Sequence, residues 1–186
     1  GRKVFMNDPD RGEMRYRYDA AGNLVETQDA AGQRIAHAYD GVNRLIAETY
    51  HPAGQPPPTA PAVVYHHDRP ADSVDTGQSA PRTASNTAGQ LAWVADRSGE
   101  EHWSYDERGR VQWRVKRVRE PGSEALVNFH FATVYDALDR AVRFQYPDGA
   151  SLDYRYNFRG LLDGLALGET TTLVAGTDYQ PSGQHA

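Results

Sequence analysis

The chain has 186 residues, a formal net charge of −5 and a pI near 5.8, a balance that gives no general electrostatic pull toward nucleic acid or an anionic membrane. It has no cysteine, which excludes disulfides and thiolate metal sites, no apolar run near the ~18 residues of a transmembrane helix, and no signal-peptide pattern at Gly1-Arg2-Lys3-Val4. Leu, Ile, Val and Phe make up less than a fifth of it, near the range of disordered chains, but the small net charge and the 11 Tyr and 3 Trp imply a folded chain with an aromatic, rather polar interior.

From residue 16 to residue 50 the sequence reads as alternating strands and turns, the turns beginning at Asp19, Asp29 and Asp40. A step of about ten residues leaves strands of about six, the cadence of an antiparallel meander. Tyr18-Asp19-Ala20-Ala21-Gly22 returns as Tyr39-Asp40-Gly41-Val42-Asn43, Tyr105-Asp106-Glu107-Arg108-Gly109, Tyr135-Asp136-Ala137-Leu138-Asp139 and Tyr156-Asn157-Phe158-Arg159-Gly160. In each, the first turn residue accepts amides further along while Gly, Asn or Asp takes a positive φ, closing a type I turn with a G1-type bulge. Asp29 to Gly32 and Asp96 to Gly99 repeat this logic, and Pro147-Asp148-Gly149 is expected to make a tighter hairpin. Tyr16 with Tyr18, Trp103 with Tyr105 and Tyr154 with Tyr156 alternate along their strands, opposite Arg15, Arg17 and Arg155. The predicted sheet therefore has one aromatic and one charged face.

Residues 1–50 thus form one set of hairpins and 90–186 another. Between them, 51–89 holds seven of the 11 prolines and is predicted to be irregular, with a worn Tyr-x-x-Asp strand at 62–68 and a surface or mobile loop from Ala71 to Thr87. A further hairpin tip is expected at Glu120-Pro121-Gly122-Ser123, a strand at 172–178, and a last pentad at Tyr179-Gln180, with Gln for Asp. The fold class is all-β: an antiparallel β-hairpin meander whose sheet curls, leaving an unpaired edge at each end.

These phased motifs, with Gly89-Gln90-Leu91-Ala92-Trp93 leading into Trp103-Ser104-Tyr105-Asp106 and the Tyr146-Pro147-Asp148-Gly149 hairpin, resemble the RHS or YD-repeat family, and within it the shell segments of bacterial Rhs polymorphic toxins and of the B and C components of insecticidal Tc toxin complexes. The resemblance runs from about residue 13 to residue 184 and weakens over 51–89. It implies a β-ribbon that forms part of a larger hollow shell around a toxic C-terminal polypeptide of a secreted or cell-surface bacterial protein. The implied partners are the rest of the shell or a second toxin-complex component, and the enclosed segment. It also implies aspartyl self-cleavage at paired Asp-Pro motifs, which is not carried onto this chain, because Asp8-Pro9 stands alone.

No residue set recommends catalysis, a cofactor or a metal. The repeated aspartates are explained by turn hydrogen bonding, and neighbouring His66 and His67 would point to opposite faces of a strand. The run Arg114 to Arg119 reads as a strand with a solvated basic face. The expected function is a non-catalytic shell segment. A cell-surface recognition module binding glycans or a partner protein through Trp93, Trp103 or Trp113 is the alternative.

Overall fold

The computed structural model describes residues 1–184 apart from 11, 79, 124 and 169. Among these lie fourteen strands: β1 (Phe5–Asp8), β2 (Gly12–Tyr18), β3 (Leu24–Gln28), β4 (Arg34–Tyr39), β5 (Leu45–His51), β6 (Val63–His67), β7 (Leu91–Asp96), β8 (Gly99–Tyr105), β9 (Val111–Arg119), β10 (Leu126–Tyr135), β11 (Ala141–Gln145), β12 (Ser151–Tyr156), β13 (Leu162–Leu167) and β14 (Thr171–Val174). They make one antiparallel sheet in strict sequence order, and β1 and β14 stand at its ends without pairing to each other. The all-β meander is as expected. The register slips at β2, β4, β6, β8, β10 and β12 just before their turns, one bulge per hairpin. Each bulge adds local twist, so the sheet curls rather than lying flat.

Cross-strand partners share a face, and the register sorts the side chains. Tyr16 faces Thr27 while Arg15 and Arg17 face Gln28 and Glu26. At the other end, Tyr154 faces Leu165 and Arg155 faces Gly164. In the middle the charged face changes character. His66, Trp93, His102, Val115 and His130 form one cross-strand row through β6, β7, β8, β9 and β10.

That row lies in the best-buried region of the chain, and residues 69–90 are the reason. The described residues of this segment do not stand off as a loose loop: through Val74, Asp75, Ala84 and Ser85 they cross the face of β8, β9 and β10 as a strap. Val74 packs with Trp113 and Val115, and Ala84 and Ala132 join them. Thr76, Ser104 and Val115 lose all solvent contact. The strap's own backbone is held by a Val74–Arg82 bridge. A single-layer sheet has no second layer to bury its middle, and here the insertion supplies a local one.

Candidate functional site

In a meander, alternate turns fall on the same edge of the sheet. The turns after β2, β4, β6, β8, β10 and β12 therefore line one edge at two-strand intervals of about 10 Å, and this edge carries the Tyr-Asp motif. Its turns share one hydrogen-bond pattern. In the first, the Asp19 amide donates to the Asn23 carbonyl at 3.0 Å and the Gly22 amide to the Asp19 carbonyl at 3.1 Å. The same pair closes the turns at Asp40, Asp106, Asp136 and Asn157. The fourth turn residue takes positive φ throughout: +97° at Gly22, +66° at Asn43, +77° at Gly109, +64° at Asp139 and +79° at Gly160.

The carboxylates add a second layer of bonds. Asp106 Oδ1 accepts the Arg108 and Arg110 amides while Oδ2 accepts Arg110 Nε at 2.6 Å. Asp136 repeats this with Leu138 and Arg140, and Asp40 with Val42 and Arg44. The arginine bonds hold the Asp106 and Asp136 carboxyls below their usual pKa, the Arg44 amide does so for Asp40, and the Asn23 side chain for Asp19.

The tyrosine has a role the sequence did not reveal. Its hydroxyl reaches across and donates to a backbone carbonyl, at the exit of the preceding turn in every case but the first: Tyr18 to Lys3, Tyr39 to Leu24, Tyr105 to Leu91, Tyr135 to Val111, Tyr156 to Ala141 and Tyr179 to Leu162, at 2.6–3.1 Å. Between them the arginine of one turn lies on the tyrosine of the next, Arg110 over Tyr135 at 4.5 Å and Arg140 over Tyr156 at 4.3 Å. Aspartate, arginine and following tyrosine thus form a full rung at Asp106 and Asp136, and the tyrosine-to-carbonyl bond carries the tie at Tyr39 and Tyr179. For Tyr39, Tyr135, Tyr156 and Tyr179 the acceptor is the sixth residue after the preceding motif tyrosine, and that periodicity is the signal in the sequence.

The missing rung locates the insertion. His67 Nε2 lies 2.9 Å from the Leu45 carbonyl, where a tyrosine hydroxyl would be, and Asp68 follows it. The Asp68 amide donates to Gln90 O at 3.0 Å, and the Gly89 amide to Asp68 Oδ1 at 2.7 Å. Residues 69–88 are therefore spliced into the middle of one repeat turn, and His67-Asp68 is the worn pair. Tyr65, expected to mark it, instead bonds Glu48 Oε1 at 2.9 Å, and burial with that bond pushes its phenol up to about 12. Arg44 grips Asp68 with two bonds at 2.7 and 3.0 Å, which with the Gly89 amide brings the Asp68 carboxyl down to about 2.

The remaining predicted turn residues lie on the opposite edge. Asp29 and Gly32 form the expected turn, and Tyr146 to Ala150, with Asp148 and Gly149, closes with the same pattern rather than a tighter one. Asp96 and Gly99 depart from the expectation. They pair directly across a two-residue loop, and Gly99 begins β8. Its backbone passes so close to β9 that an added Cβ would run into the Arg117 carbonyl oxygen, and its φ is +144°. Glycine is there for close strand approach rather than to finish a turn. The basic run is paired within the sheet, Arg114 and Lys116 with Glu101 and Arg117 with Glu100. Two of the three tryptophans are unavailable as flat platforms. Trp93 is stacked between His66, at 3.6 Å, and His102, at 5.5 Å, and Trp113 is 7% exposed.

Residues 6–34 and 18–56, which include the first two Tyr-Asp turns, match the family model described as RHS Repeat. Residues 6–56 carry RHS repeats. Over 32 residues, 17% of the chain, it is 59% identical to the toxin protein Tse5 of Pseudomonas aeruginosa, and this covers 2% of that protein. The sheet as a whole has the fold of solved Tc toxin structures. It covers 98% of its length on a TcdB2-TccC3-TEV crystal structure at a TM-score of 0.77 and 17% identity, and 100% on TcdB2-TccC3 at 0.77 and 18%. A Photorhabdus luminescens Tc holotoxin pore matches over 98%, again at 0.77 and 17%. The chain spans only 9–10% of those structures.

Proposed function

We propose that this RHS-repeat chain is a non-catalytic wall segment of a larger shell that encloses a toxic C-terminal polypeptide and shields it until delivery. The observation that carries the reading is the rung. The same fastening recurs along one edge, each copy linking only adjacent turns, so the structure builds area rather than a pocket. Such an array extends by adding hairpins, and the free sides of β1 and β14 are where further strands of the same polypeptide, or a second toxin-complex component, would continue it. The toxin names of the similar proteins support a secreted or cell-surface bacterial setting.

Limited proteolysis of the full parent polypeptide, with its C-terminal segment followed by mass spectrometry, tests the proposal. The segment should survive until acid or denaturant opens the β-array. Digestion of that segment while the array stays intact would show that the wall encloses nothing.

A further inference from the structure

The strap over β8, β9 and β10 is fastened mainly by polar bonds. Ser85 O accepts the Tyr105 amide at 3.0 Å, the Ser85 amide donates to Ser104 Oγ at 3.0 Å, and Asn86 Nδ2 donates to Tyr105 O at 2.9 Å. At its other limb Asn128 Nδ2 donates to Asp75 Oδ2 at 2.9 Å. Beneath it lie two histidines, His102 at 3% exposure and His130 at 4%.

Their surroundings differ in a way that matters. His102 Nε2 is 3.3 Å from Glu100 Oε1, a carboxylate shared with Arg117 that offsets part of the burial which lowers this ring's pKa. Among the described residues, neither ring nitrogen of His130 has a hydrogen-bond partner. It is opposite Val115 and beside Trp113, with ring centroids 6.1 Å apart. The charged groups around it offer little compensation. Arg82 comes from the strap and repels an imidazolium. The strap's Asp75 is engaged by Asn128, and Arg117 of β9 is engaged by Glu100 of β8. On the β11 side the nearest paired residue of that face is Gln145, uncharged and opposite Ala132.

We propose that residues 71–87 are a proton-released latch over the sheet, with His130 as its trigger. A charged imidazole cannot be accommodated in the closed form, since burial withholds water and no acceptor replaces it. Burial first, and Arg82 second, lower the pKa of His130 in the closed form, whereas an open latch returns the ring to water and its ordinary value of 6.5. The closing free energy is therefore fully present above that value and is lost as the pH falls below it. One such group raises the opening equilibrium by up to about tenfold per pH unit. Opening would bare Trp113 and Val115 on one face of the array while the rungs along its turn edge stay made.

Hydrogen exchange of the intact polypeptide, corrected for the intrinsic pH dependence of exchange, tests this at the amides of Val74, Arg82 and Ser85. Between pH 7.5 and 5.5 their opening should rise about 10-fold, while the Asn157 amide, in a turn remote from the strap, holds within twofold. His130→Phe should abolish the rise and His102→Phe should keep it. Where the larger ring is not accommodated, His130→Gln serves as the same test. An unchanged opening equilibrium in the parent, a persistent rise without His130, or equal acceleration at Asn157 would each overturn the latch.

Discussion

If the tyrosine hydroxyl is a fastening, removing it should loosen the turn it reaches rather than the strand it sits on. Tyr105→Phe is the sharpest case. Its hydroxyl donates to Leu91 O at 2.8 Å, its side chain is 8% exposed, and burial raises its pKa. Phe keeps the ring and its packing but leaves the Leu91 carbonyl without this donor in a place water reaches poorly. Such a loss costs about 1–2 kcal/mol, which is a rise of about 5- to 30-fold in local opening. The effect should be read at the Asp68 amide, which closes the neighbouring turn on Gln90, by native-state hydrogen exchange. Tyr18→Phe is the internal control. Its hydroxyl bonds Lys3 O in an exposed position, where water substitutes and the cost should stay below about 0.5 kcal/mol, read at the Tyr16 amide. A change of less than twofold at Asp68 in Tyr105→Phe would mean that the ring fills space and the hydroxyl fastens nothing.

Gly99→Ala should lower the thermal midpoint sharply, by a loss of roughly 2–4 kcal/mol, because the new Cβ meets backbone rather than a movable side chain. Gly41→Ala, with nothing within 4 Å of the added atom, should stay within about 0.5 kcal/mol, and equal effects would refute the close-approach account. Asp68→Asn should destabilise the chain at pH 7. Because the folded pKa of Asp68 is brought down from 3.8 to about 2, its contribution is present above 3.8 and fades through 2, so denaturation curves of parent and variant should converge in that window. A constant difference down to pH 2 would deny the carboxylate its role. Arg110→Lys loses both the forked bond to Asp106 and the planar contact with Tyr135. A double-mutant cycle with Tyr135→Leu should show a coupling of about 0.5–1 kcal/mol, and none would break the rung between neighbours.

The strands and turns were legible because each turn is a local problem: an acceptor at its first residue and a positive φ at its fourth are written in five consecutive letters. Even Asp139, a poorer substitute for glycine, adopts the left-handed region, at φ +64°. What stayed hidden was non-local. Alternation assigns Tyr105 and Tyr135 to a face, but not the carbonyls of Leu91 and Val111 as their targets, since that requires knowing which turns are neighbours on one edge. Proline content marked residues 51–89 as irregular around a strand at 62–68, yet composition cannot say that 69–88 are spliced into one turn. Nor can it say that Ala84 and Val74 would pack on Trp113. At Gly99 the Asp-x-x-Gly spelling was misleading, because a two-residue loop and a bulged turn use the same letters.

The place of the insertion follows from the logic of the rungs. An extra segment within a strand would shift the register and turn every later side chain to the wrong face. An extra segment in a turn leaves the register intact if the two ends of that turn remain tied. Here the tie survives, with Asp68 bonding both Gln90 and Gly89, Arg44 gripping the same carboxylate, and His67 holding the Leu45 carbonyl. The array thus tolerates twenty spliced residues because its stability is distributed over nearest-neighbour links, and one turn edge can carry an added device without disturbing the wall. A histidine in the tyrosine position is consistent with this. His67→Tyr, restoring the hydroxyl type used at the other rungs, should leave the strap contacts unchanged, and slower exchange of the Asp68 amide with no change at Val74 would be the outcome expected of independent links. Coupled changes at both amides would show instead that the strap and the rung form one cooperative unit.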